Sequence, residues 1–239
     1  MYLNKVLASL VFALVFITPT AQAAGVVSTS PPPFTSQAPL AEWSDQRQQD
    51  GCEEASALMA MLWVKNKGAI TKINAKKEIL AISNFEKKKY GEYRDVGLPD
   101  IIKWIFNFYY KYAKVRLVKD IKLADIKNEL KAGRIVLLPM NGQALKNPHF
   151  KTPGPERHMI LVYAYDEKKQ EFITNDPGTR YGAAYRYPEK ILYGAIRVYS
   201  TGYHKKIDKL SKKAMIVLTL SLFHVIIVFY NKSINLSSF

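Results

Sequence analysis

The sequence predicts an α+β fold, with helices gathered in the first half of the domain and an antiparallel sheet in the second. Three observations predict it. Apolar residues recur at helical spacing from residue 52 to about 131. From residue 134 the pattern changes to short β-rich runs separated by turn residues. Strands and helices do not alternate along the chain, which argues against a doubly wound parallel sheet. The balance of 48% hydrophobic to 23% charged residues in 239 is that of a globular chain.

The first helix opens at Cys52. Asp50 stands before it as a candidate cap, with Glu53 three residues on in capping-box spacing. Ala55, Leu58, Met59, Leu62 and Trp63 form one apolar face, and Ala57, Ala60, Met61 and Val64 fill the rest. Such a helix is buried nearly all round. A second helix is predicted over 75–85. A third starts at Pro99 and carries Ile101, Ile105, Phe108, Tyr109 and Tyr112. A fourth covers about 122–131 and stops at Gly133. Strands follow at 134–139, 159–165, 171–175 and 184–187, with a closing helix over 188–198.

Segments outside this domain have their own signatures. Lys5, the apolar run Val6–Ile17, Pro19 and Ala21-Gln22-Ala23 read as a secretory signal over 1–23. That predicts an exported protein, extracytoplasmic or in the cell envelope; an uncleaved anchor is the alternative. Residues 24–33, with Pro31-Pro32-Pro33, read as a stiff linker. The domain is placed at 34–199 and a basic linker at 200–213. The apolar stretch 214–230 is a candidate transmembrane helix, since about 17 residues of helix reach the lower limit for a span. Membrane association through that stretch is the corresponding expectation.

The net charge of +15 is spread over many segments rather than gathered with aromatic residues, so no nucleic-acid partner is expected. One cysteine allows no internal disulfide and no cysteine-rich metal site, and four scattered histidines show no paired spacing. No cofactor and no metal are expected.

An exported chain with one free thiol directs attention to Cys52. A thiol at a helix opening meets backbone N–H groups and the positive end of the dipole, which favour the thiolate. Glu53 and Glu54 oppose it. A cysteine nucleophile needs an imidazole and a group to orient it. His158 opens the strand 158–165, and Asp176 ends the neighbouring strand before Pro177-Gly178. Eight residues of strand, a four-residue turn and a return strand bring 174–176 about level with 158. Hairpin pairing alone can therefore bring His158 and Asp176 together. An oxyanion needs a second donor besides the Cys52 N–H. Gln37, Gln46, Gln48 and Gln49 are all available, and spacing does not choose among them.

Five ordered blocks then carry a resemblance. They are Ser36-Gln-Ala-Pro39 with Trp43; Gln49-Asp-Gly-Cys-Glu-Glu-Ala-Ser56; Gly133-Arg-Ile-Val-Leu-Leu-Pro139; Pro153-Gly-Pro-Glu-Arg-His-Met159 with Tyr165-Asp166; and Phe172-Ile-Thr-Asn-Asp-Pro-Gly178. Over about 34–199 the chain resembles the bacteriocin-processing type of papain-like cysteine peptidase, in its C-thirty-nine-like branch. The resemblance implies a papain-like fold and hydrolysis of peptide bonds in a peptide or protein substrate. It implies a Cys–His–Asp set at Cys52, His158 and Asp176, and an oxyanion glutamine at Gln37, with Gln46 or Gln48 in reserve. Glu53-Glu54 replaces the usual Gly-Pro pair after the nucleophile. That departure motivates the alternative of a catalytically inactive papain-like module binding peptide or cell-envelope material.

Overall fold

A computed structural model describes residues 26–28, 30–207 and 212–220. The proposed signal segment therefore lies outside the described residues. The strands are β1 (Val26–Ser28), β2 (Val115–Lys119), β3 (Ile135–Met140), β4 (His158–Asp166), β5 (Glu171–Asn175), β6 (Tyr185–Pro188) and β7 (Ala214–Leu218). They form one antiparallel sheet in the order β2-β7-β3-β4-β5-β6, with β1 paired to the far end of β4. The helices are α1 (Gln46–Gln49), α2 (Cys52–Val64), α3 (Lys72–Tyr90), α4 (Leu98–Asp100), α5 (Leu123–Lys131), α6 (Gly142–Leu145) and α7 (Glu189–Ala195). The α4 turn runs on as a π-helix over Ile101–Tyr109. The fold is α+β, as predicted.

Alternating side chains explain the layers. On one face of the sheet Ile135, Leu137, Met159, Leu161 and Ile216 pack with α2 and the π-helix. On the other, Val136, Leu138, Ile160, Val162 and Val217 pack with α5 and α7. Both faces of the central strands are thus covered, and every residue of β3, β4 and β7 is buried. Helix α2 is buried at all but one of its positions, as its continuous apolar content predicts. Its cap differs from the prediction. Gly51 holds the cap position, and a Cβ there would lie 2.6 Å from the Arg47 carbonyl oxygen. Asp50 instead accepts from Gln46 at 2.6 Å, closing α1 rather than opening α2.

The π-helix turns the third predicted helix. Its i→i+5 bonds, such as Tyr110 N–H to the Ile105 carbonyl, space its faces more widely than an α-helix. Ile101, Trp104, Ile105 and Phe106 go inward, while Phe108 is left exposed.

Three of the expected boundaries are corrected. The stretch proposed to cross a membrane from residue 214 begins as strand β7, hydrogen-bonded between β2 and β3. A strand buried on both faces has the same unbroken apolar run as a membrane helix, so composition did not separate them. Among the described residues no helix is long and apolar enough to cross a membrane; residues 221–230 lie outside them. The basic segment is packed rather than a spacer over residues 200–207, while 208–211 lie outside the described residues. Thr201 Oγ1 donates to Asp100 at 2.5 Å and accepts from Gly97 N–H at 2.9 Å. The His204 N–H donates to Asp95 at 2.7 Å. The proline-rich segment is also docked: β1 pairs with Ala164–Asp166, and the Pro32 carbonyl accepts from Asn175 at 2.9 Å.

If β7 is a core strand, truncating one of its inward side chains must be felt by the whole domain. Ile216→Ala should cost about 3 kcal/mol, read as a lower urea midpoint with an unchanged slope.

Candidate functional site

A cleft of about 1480 Å³ opens between the loop before α1, the loop before β4 and the loop after β5. Cys52, His158 and Gln37 all line it. Cys52 is the first residue of α2, and Ser56 lies one turn further along the same face. The Ser56 hydroxyl donates to the Met159 carbonyl at 3.2 Å, fastening that face of α2 to the start of β4 beside His158.

The hairpin brings His158 and Asp176 together. β4 pairs with β5 through Leu161↔Asn175, with a bulge between Val162 and Ala164. Continued past the strand ends, that register sets His158 level with Gly178 and diagonal to Asp176. His158 Nε2–H donates to Asp176 Oδ1 at 2.7 Å. That leaves Nδ1 as the free nitrogen of the ring. Gly178 is required at this point, since a Cβ would lie 2.9 Å from the ring's Cε1 and from Phe150 Cε1. Phe150 packs edge-on against the imidazole, with centroids 5.3 Å apart.

Asp176 is wholly buried and fully hydrogen-bonded. Its Oδ1 also accepts from Gly178 N–H at 2.9 Å. Its Oδ2 accepts from the Tyr187 hydroxyl at 2.5 Å and from Asn147 Nδ2 at 3.3 Å. Burial alone would raise this carboxyl. The His158 charge and the donors together outweigh burial and hold it below its usual range. Asn147 and Tyr187 were not found by sequence reasoning. They lie on separate elements, and no motif marks either one.

Gln37 is buried with its amide engaged by the end of α1: Nε2 donates to the Gln48 and Gln49 carbonyls at 3.1 and 2.7 Å. Gln46 is an exposed residue of the cleft rim and donates to Asp50. Gln48 is buried and donates to the Glu42 carbonyl and carboxylate, at 3.3 and 3.2 Å.

The surroundings of Cys52 differ from the expectation of a thiol eased towards the thiolate. Its Sγ donates to Glu53 Oε2 at 2.9 Å. Glu53 Oε1 accepts from the Tyr199 hydroxyl at 2.8 Å. Burial first, then the Glu53 charge and its hydrogen bond, push the thiol well above its usual value. Glu53 and Glu54 do not turn away from the core; both are buried. Burial raises Glu53 to about 7. Glu54 accepts from Ser83 at 2.8 Å. Burial and the Glu53 charge raise it well above its usual value. Glu86 of α3 is raised by burial and then by Glu54 and Glu53. Three buried carboxyls thus lie together between α2 and α3.

A carboxyl raised on folding contributes stability that is fully present below its unfolded value and lost as pH rises through its folded one. For Glu53 that window runs from 4.5 to about 7. The shift corresponds to a loss on the order of 3 kcal/mol, or roughly 5–10 °C, between pH 4.5 and 8. Melting temperatures measured across that range should fall, and Glu86→Gln should flatten the fall.

Residues 33–206 match the model of the Peptidase_C39 like family. A crystal structure of a Bacillus anthracis protein described as a C39-like peptidase aligns with a TM-score of 0.51 at 14% sequence identity. The alignment covers 82% of this chain and 98% of that one. At that identity the likeness is one of fold. No curated protein matches the chain.

Proposed function

The chain belongs to the Peptidase_C39 like family, and on that premise we propose that it hydrolyses peptide bonds with Cys52 as nucleophile. The observation that carries the reading is His158, bonded to the buried Asp176 at 2.7 Å and lining one cleft with the first residue of α2. Substrate is a peptide or protein strand lying in that cleft.

In this reading His158 Nδ1 takes the Cys52 proton as Sγ attacks the scissile carbonyl carbon. Asp176 fixes the imidazole through Nε2 and stabilises the imidazolium. The imidazolium then gives its proton to the leaving amine, and a thioester remains on Cys52. Water, deprotonated by the same imidazole, hydrolyses the thioester and returns the thiol. The oxyanion is held by the Cys52 N–H and by Gln37, whose Nε2 must turn one N–H away from the Gln48 or Gln49 carbonyl. Export is part of the proposal and rests on Lys5, the apolar run that follows it and Ala21-Gln22-Ala23.

A second reading, a peptide-binding module without turnover, is favoured by one observation: the resting thiol points its proton at the buried Glu53 carboxylate. Turnover separates the two. With a peptide library read by mass spectrometry, Cys52→Ala should abolish cleavage while leaving the melting temperature nearly unchanged. Cleavage that survives in Cys52→Ala ends the peptidase reading. Gln37→Ala should lower kcat about 100-fold with little change in KM, and an unchanged kcat would move the oxyanion role to another donor.

A further inference from the structure

Glu53 is a buried ionisable group in contact with the reacting sulfur, and the mechanism above gives it no task. Its carboxyl has two partners, the Cys52 thiol at 2.9 Å and the Tyr199 hydroxyl at 2.8 Å. The Tyr199 oxygen also lies 3.4 Å from the His158 carbonyl oxygen. One hydrogen-bonded chain therefore runs from the nucleophile through Glu53 to Tyr199, whose single hydroxyl proton goes to Glu53 and whose oxygen sits beside the histidine backbone. All four residues are buried.

We propose that Glu53 is a proton-controlled gate on Cys52: ionised, it accepts a hydrogen bond from the thiol and holds the nucleophile idle; neutral, it keeps its proton and donates a hydrogen bond to the thiolate. The inference rests on the reading of Cys52 as nucleophile. The electrostatics favour it. Forming a thiolate beside an ionised Glu53 sets two anions in contact, with Asp176 a third negative charge behind His158 and only one imidazolium to offset them. Protonating Glu53 from solvent removes one anion and turns an acceptor into a donor. The thiol proton can then pass to His158 Nδ1, leaving a thiolate–imidazolium pair.

The groups around Glu53 push in opposing directions. On its own helix Cys52 and Glu54 face it, and from α3 Glu86 does. From the loop before α4 the Asp95 charge reaches it. From the segment after α7 Tyr199 donates to it. Asp95 in turn pairs with Arg157 at 3.6 Å, and Arg157 also donates to the Lys205 carbonyl. Tyr199 and the Cys52 thiol favour the ionised carboxyl, while burial and the surrounding acids favour the neutral one. Their balance sets the switch at about 7.

Iodoacetamide labelling of the full chain tests the gate without needing peptide turnover. Cys52 is the chain's single cysteine, so the label reports that thiol alone. Wild type should label more slowly at pH 8 than at pH 6. Glu53→Gln, whose amide donates at every pH, should label about tenfold faster than wild type at pH 8. Tyr199→Phe removes the donor that favours the ionised carboxyl. It should move the wild-type decline about one unit to higher pH, which keeps the test open if Glu53→Gln fails to fold. A wild-type rate that climbs steadily through pH 7 overturns the gate. So does Glu53→Gln labelling no faster than wild type, or an unmoved profile in Tyr199→Phe. Cleavage surviving in Cys52→Ala would sink the peptidase reading alone, because the labelling profile is a property of the thiol.

Discussion

The seating of α2 on β4 is the constraint on which the site depends. Cys52 comes from the helical layer and His158 from the sheet, and they are distant in sequence. The bond from Ser56 to the Met159 carbonyl joins a residue one helical turn after the cysteine to the residue next to the histidine. The apolar contact of Ala57, Met59 and Ala60 with Met159 and Leu161 supplies the area. The single polar bond supplies the register, because a buried hydroxyl and carbonyl slipped out of contact would each lose a partner.

At the cysteine two opposing effects can be weighed. A helix N-terminus favours an anion by up to about 2 kcal/mol in partly buried settings. A unit charge about 4 Å away opposes a like charge by roughly 4 kcal/mol at an effective dielectric of 20, and Glu53 stands closer than that. Burial opposes the thiolate further. The carboxylate therefore prevails over the dipole, and the free protein holds a thiol. Asp176 is the converse case. It is equally buried, yet four donors surround it. The same core thus holds one acid ionised and others close to neutral, and the number of donors each receives makes the difference.

Elements with a strong period were legible in the sequence. Helix α2, α3 and strands β3 to β6 follow from spacing and turn residues, and the hairpin count was enough to bring His158 and Asp176 near each other. What escaped has physical reasons. β2 is a short strand, half-exposed, with Arg116 and Lys119 in it, and it resembles a polar loop. β7 is buried on both faces and resembles a membrane helix. Glu53 could be read as crowding the thiol, but its tether to Tyr199 spans 146 residues and leaves no local trace. Asn147 and Tyr187 are equally silent, because a carboxylate's donors may come from any element that packs beside it.

The position of β7 also sets an order of events. Among the described residues β2 pairs only with β7, and β7 separates it from β3. The gap between β2 and β3 stays open until residue 218 has been synthesised and has reached it. Contacts of such long sequence separation form late and slowly. An emerging chain thus carries its thiol, imidazole and carboxylate before the sheet beneath them is complete. Completion of the sheet beside β3 therefore waits on residues 214–218 rather than on the residues that line the cleft.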